Sequence, residues 1–139
     1  MEALHFEGMA AIFGEPDRTR DVFDCGAFTK SLRASWKVRL LLNHNTDCVI
    51  GCIDDLQETS RGLYVRAHIT PDLEVNRDVA RLIKDGALDG LSVGFKTRKS
   101  RRDGGVRYIS EAELWEVSVV TFPMAPNARI EMHGCRAAA

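Results

Sequence analysis

The sequence predicts a mainly β fold with a few helices: about seven short strands forming a barrel or sandwich. Three observations carry this. Short runs rich in Val, Ile, Leu and Phe recur along the chain, some strictly alternating. Turn-forming Gly, Pro, Asp and Asn separate them. One stretch alone has a full helical stripe with signals at both ends. The length of 139 residues fits one domain, and 45% hydrophobic against 28% charged residues favours a packed core over disorder. A net charge of -1 excludes a strong whole-molecule pull toward nucleic acid or membrane.

Residues 3–13 read as the first strand, with Gly8 at a bulge or bend. Gly14-Glu15-Pro16-Asp17 is a turn, after which Asp24 is placed to cap a short helix with Phe28 and Leu32 facing inward. Val38–Leu42 is a buried strand leading into a polar loop, 43–47. Cys48–Leu56 and Leu63–Ile69 form a hairpin. In its second strand Leu63, Val65, Ala67 and Ile69 share one face, and Tyr64, Arg66 and His68 the other.

Thr70-Pro71 opens the main helix, with Thr70 as N-cap, a stripe of Val75, Val79, Leu82 and Ile83, and Gly86 at the C-terminal cap. After it come the strand Gly90–Phe95, the basic run 96–102, a turn at Asp103-Gly104-Gly105 and the strand 106–109. A last strand, 113–122, ends at Pro123, and 131–139 read as a frayed tail, so that the domain occupies 1–130.

The strand Gly90-Leu91-Ser92-Val93-Gly94-Phe95 has two unlike faces. Leu91, Val93 and Phe95 suit a core, while Ser92 stands between two glycines on a nearly bare face that another chain can approach. A serine hydroxyl becomes a useful nucleophile when a base takes its proton, and histidine is the usual base at neutral pH. Of four histidines, His44 is best placed, at the end of a buried strand. His5 lies within a strand and His133 in the tail, and His68 is on the polar face of the hairpin. The orienting group is commonly a carboxylate. With Trp115, Val117 and Val119 on the core face, Glu116 and Ser118 project from the same outer surface as Ser92. Glu113 and His68 stay open as alternative third members. Oxyanion donors are sought in the backbone near Ser92 or among Arg98, Arg101 and Arg102.

Other chemistries are weaker. His44, Cys48 and Cys52 lie four apart, but the intervening Val49, Ile50 and Ile53 favour a strand, and there is no CxxC pair, so no metal or cofactor is expected. A metal-dependent hydrolase would draw on His44 with Cys48, Cys52 or His68. Cys25, Cys48, Cys52 and Cys135 are expected as free thiols in a reducing compartment. The basic run 96–102 could neutralise phosphates, yet no aromatic residue interleaves it, so nucleic acid is not an expected partner. No apolar run has the ~20 residues of a membrane helix, and the start lacks signal-peptide features, which favours a cytoplasmic protein.

The ordered set "DCGAFTKSL", "LLNHN", "GLYV", "LIKDGALDGLSVGF" and "ELWEVSVVTFPMAPNA" resembles the HK97-type phage prohead protease family, relatives of the herpesvirus assembly proteases. The resemblance covers residues 6 to 130. At His44-Asn45 the chain departs from the His-Asp common in the family. The resemblance implies a β-barrel flanked by helices, and a serine endopeptidase of capsid maturation that trims the scaffolding protein or the scaffold-like segment of the major capsid protein, and itself. It implies Ser92 as nucleophile, His44 as base and Glu116 as the acid. It implies action inside the immature capsid in the bacterial cytoplasm, as a homo-oligomer. The rival on the same fold is a non-catalytic capsid- or scaffold-binding protein.

Overall fold

A computed structural model describes residues 2–34 and 36–137. In chain order the elements are β1 (Glu2–Ile12), β2 (Asp21–Phe23), α1 (Thr29–Leu32), β3 (Arg39–Leu42), β4 (Asn45–Glu58), β5 (Gly62–Ile69), α2 (Glu74–Lys84), β6 (Gly90–Asp103), β7 (Val106–Val120) and β8 (Ile130–Ala137). Among the described residues the eight strands form one mixed sheet in the order β2-β7-β3-β4-β5-β1-β8, with β6 paired to β7. The strands β2 and β3 run parallel to β7, and every other pairing is antiparallel. The ladder is open, but the sheet curls until one isolated bridge, Gly90 to Arg129, links the start of β6 to the residue before β8, and a second, parallel one joins Phe13 to Phe23. Mainly β architecture with few helices is what the sequence predicts.

The concave face holds the core. On β5 the inward set Leu63, Val65, Ala67 and Ile69 is fully buried. Leu4, Phe6, Leu40, Ile50, Leu91, Ile109, Leu114, Val117 and Val119 join it from the other strands, with Phe28 beside α1 and Val79 and Ile83 from α2. Each fully buried Leu, Ile, Val or Phe contributes on the order of 1.5–3 kcal/mol relative to exposure.

Several expectations are corrected. Residues 131–137 are not a frayed tail: Ile130–Ala137 form β8, paired antiparallel along β1, and the rest of the expected tail, 138 and 139, lies outside the described residues. Side chains 131–135 are exposed, so hydrophobic patterning gave no sign of it; the backbone ladder closing the edge of β1 holds it. Asp24 does not cap α1. It pairs with Arg101, and the Glu58 carboxylate of β4 accepts hydrogen bonds from the Phe28 N–H and the Thr29 hydroxyl instead. The N-cap of α2 is Leu73, not Thr70, because the Asn76 amide donates to both the carbonyl and the hydroxyl of Thr70 and holds that turn outside the helix. Asn76 is buried on the inner face of α2 with Val79 and Ile83, while Val75 and Leu82 are exposed. Gly86 ends the helix as expected, at φ +75°. The basic run 96–102 continues β6, and the two strands expected over 106–122 are one bulged strand, β7.

Candidate active site

β6 sets Ser92 opposite Ser118 of β7, and Gly94 opposite Glu116. A register shift follows, because Phe95 pairs with Leu114 and leaves Trp115 as the extra residue. This bulge removes Trp115 from the expected Trp115–Val117–Val119 core face, of which Val117 and Val119 are buried as expected. Leu114 is buried in place of Trp115, which is 58% exposed and donates its indole N–H to Glu113. The bulge leaves Glu116 and Ser118 on the Ser92 side, and their buried positions make them polar groups that need partners.

Those partners come from the β3–β4 connection. Leu42 pairs with Asn45, so the turn contains only Asn43 and His44, at φ 49° and 60°. Two consecutive left-handed residues between paired strands are the signature of a type I′ hairpin turn, which asparagine tolerates well and histidine tolerates better than most. The expected five-residue loop is thus a two-residue turn, and β4 starts at Asn45. The turn is pinned to β7: Asn43 N–H donates to the Val119 carbonyl at 2.9 Å, and Thr121 N–H donates to Asn43 Oδ1 at 3.3 Å.

His44 then lies between Ser92 and Glu116. Its Nε2 is 3.1 Å from Ser92 Oγ and its Nδ1 is 2.7 Å from Glu116 Oε1. A carboxylate accepts, so Nδ1 carries the proton and Nε2 turns its lone pair to the serine hydroxyl. The Ser118 hydroxyl donates to Glu116 Oε2 at 2.8 Å and accepts from the His44 backbone N–H at 2.9 Å, tying acid and turn together. The hydrogen bond from Glu116 raises the His44 pKa above its usual 6.5, against partial burial, which lowers it, and the carboxylate charge adds to the rise. The sequence reading placed Ser118 on the Ser92 side without giving it a role, and gave Asn43 only a place in the polar loop. The visible signals were Ser118 two residues after Glu116 on one strand face, and an Asn-His pair suited to a tight turn.

The bare face of β6 makes room for Glu116. A Cβ on Gly94 would sit 2.6 Å from Glu116 Oε1 and 2.7 Å from its Cγ and Cδ. The glycine leaves room for the Glu116 side chain against β6, so the close neighbour is a side chain of the same molecule. Beside Ser92 a cleft of about 230 Å³ opens between β1, β2 and β6, with Ala10, Asp17, Thr19, Asp21, Phe95 and Met124 in its lining.

Two alternative third members lie elsewhere. Glu113 accepts from Arg98 and Trp115, and Arg98 holds its carboxyl below the usual range. His68 bonds Asp54 on β4. Two of the three arginine oxyanion candidates are held in ion pairs, and Arg102 lies farther along β6, opposite Arg107. Arg98 pairs with Glu113, and Arg101 pairs with Asp24 over the Tyr108 ring. At ~3.3 Å per strand residue, Arg98 is already about 20 Å along β6 from Ser92.

The sequence profile described as caudovirus prohead serine protease matches residues 1–138. The chain belongs to this family. Across 130 residues it is 35% identical to the prohead protease of Enterobacteria phage HK97, covering 90% of this chain and 58% of that one. Across 124 residues it is 31% identical to the capsid polyprotein of Pseudomonas phage PAJU2, covering 83% of this chain and 18% of the polyprotein. The chain therefore spans little more than half of the HK97 prohead protease. Among solved structures, a Kaposi's sarcoma herpesvirus protease bound to a hexapeptide phosphonate inhibitor superposes with a TM-score of 0.69 at 16% identity, over 95% of this chain and 65% of its own. The bacteriophage T4 capsid assembly protease gives the same TM-score and identity, over 84% of this chain and 80% of its own. At these identities the likeness is one of fold, and the prohead protease family shares that fold with both.

Proposed function

We propose that the chain is a serine endopeptidase of phage capsid maturation, acting through Ser92, His44 and Glu116. The observation that carries this reading is the unbroken hydrogen-bonded chain from Ser92 Oγ through both ring nitrogens of His44 to the Glu116 carboxylate. Ser92 Oγ attacks the scissile carbonyl carbon while His44 Nε2 takes its proton. Glu116 holds the tautomer and stabilises the imidazolium. The proton passes to the leaving amine as the C–N bond breaks, and water, activated by His44, hydrolyses the acyl-serine. Family membership supports a capsid-maturation role. The substrate we propose is a scaffolding protein or the scaffold-like segment of the major capsid protein, cut inside the immature capsid in the host cytoplasm, with self-cleavage besides. The PAJU2 relative, a capsid polyprotein, supports a capsid polypeptide as substrate.

The test is co-expression with the phage capsid and scaffolding proteins, read by intact mass. Wild type should yield discrete fragments, and Ser92→Ala should abolish them, since breaking a triad lowers turnover by about 10⁴ or more. Fragments that persist in Ser92→Ala remove Ser92 as nucleophile. If assembled proheads show no cleavage with either protein, the non-catalytic binding role replaces this reading.

A further inference from the structure

We propose that His5, Asp54 and His68 form a binding site for a divalent transition-metal ion, with Zn²⁺ the best match to the donors. The site lies on β1, β4 and β5, whereas Ser92 and Glu116 lie on β6 and β7 and His44 in the β3–β4 turn. Its construction follows from strand register. Leu4 and Phe6 are buried, so His5 faces outward from β1; Ala67 and Ile69 are buried, so His68 faces outward from β5. The two histidines are direct register partners, with ring centroids 5.4 Å apart. Asp54 is the extra residue of a bulge in β4, between the pairs Ile53–Ala67 and Asp55–Arg66. Bulges re-aim side chains, and this one brings the carboxylate against both rings.

The donor spacing suits a small coordination sphere. Asp54 oxygens lie 2.9 and 3.0 Å from His68 Nδ1, and Asp54 Oδ2 lies 4.0 Å from His5 Nδ1. One donor from each residue falls within 4.8 Å of the other two. Metal–donor bonds of ~2.0–2.1 Å in a tetrahedron put donors about 3.4 Å apart, which these separations bracket. Two imidazoles and a carboxylate suit Zn²⁺ and its transition-metal neighbours, whereas Ca²⁺ and Mg²⁺ prefer all-oxygen shells.

The fourth position has room. On the β8 side of His5 the register partner is Gly134, where an added Cβ would meet nothing within 4 Å. A cleft of about 180 Å³ opens there beside His5, rimmed by Met132, His133 and Cys135. Water or an incoming ligand can complete the shell from that side. A bound ion would clip β1, β4 and β5 together across the outer face.

The experiment is calorimetric titration of the full chain with ZnCl₂, with Co²⁺ visible absorption as a second readout. We expect one equivalent to bind, with nitrogen- and oxygen-type d–d bands for Co²⁺. Each of His5→Ala, His68→Ala and Asp54→Asn should weaken binding by about tenfold or more. The isosteric Asp54→Asn guards against misfolding, and circular dichroism checks all three. His44→Ala should bind like wild type. Absence of stoichiometric binding overturns the proposal. So does binding that all three variants retain, or binding that His44→Ala or thiol alkylation removes, which would place the ion at Ser92's neighbours or at the cysteines. Ser92-dependent cleavage is read separately and is untouched by either result.

Discussion

His44 serves two opposed requirements. The Glu116 carboxylate stabilises its protonated form, while proton abstraction from Ser92 needs the neutral one. Its raised pKa gives a sign to both effects. The stabilisation of the fold by imidazolium is fully present below the unfolded-state pKa and is lost as pH rises through the higher folded value. Activity runs the other way, so kcat/KM should rise with pH along a limb whose midpoint exceeds about 6.5. Glu116→Gln removes the first cause of the shift. It should move that limb to lower pH and cut kcat by about 10²–10⁴, the scale for a triad acid made neutral. A limb that stays in place in Glu116→Gln would show that His44 is not the titrating base. Ser118 belongs to the same residue-scale argument. Its hydroxyl is buried and bonds both Glu116 and the His44 N–H. Ser118→Ala leaves two partners short, costing about 1–3 kcal/mol of stability. It should lower kcat with KM little changed, measured on a peptide substrate, and Ser118→Thr should recover much of the loss.

At the scale of elements, β6 and β7 act as one template, and its two glycines do different jobs. A Cβ on Gly94 would meet Cγ, Cδ and Oε1 of Glu116, so the whole side chain must rotate away from His44 and Ser118. A Cβ on Gly90 would lie 2.6 Å from the Val120 carbonyl oxygen, which belongs to the backbone and to the β6–β7 ladder. Gly94→Ala should therefore lower Tm, because the displaced carboxylate leaves His44 and Ser118 without its bonds, and should reproduce the lost kcat and the lowered pH limb of Glu116→Gln. Gly90→Ala should lower Tm. Combining Gly94→Ala with Glu116→Gln should add little, because both break the same contact. Additive losses in kcat would mean that Gly94 acts by some route other than Glu116. The β3–β4 turn is the second element the site depends on. Its two left-handed residues store local strain that the bonds from Asn43 and His44 to β7 hold in place.

For the whole molecule, what the sequence revealed follows from what periodicity can encode. The alternation of β5 was readable because burial alternates from Leu63 to Ile69, whereas the faces of β6 were readable from residue type alone, since Gly90, Leu91 and Ser92 are all buried and Val93 to Phe95 half-buried. The side of β7 bearing Glu116 and Ser118 was readable too, but the bulge at Trp115 was not, since an inserted residue reverses the alternation with no local signal. The buried Asn76 was hidden because its satisfaction depends on Thr70, outside the helix. β8 was hidden most completely, because its side chains 131–135 face solvent and its hydrogen bonds go to the far end of the chain. That makes β8 the place to test the architecture. It covers one edge of β1, and β1 carries Leu4 and Phe6 into the core and Ala10 to the cleft beside Ser92. Deleting 130–139 should lower Tm, speed amide exchange of the β1 N–H groups that face β8, and promote self-association through the uncovered edge. Size-exclusion with light scattering and hydrogen exchange read these outcomes. A shortened chain that keeps the oligomeric state, Tm and β1 protection of the full chain would show that β1 is held by β5 and the core alone, and that β8 is dispensable to the sheet.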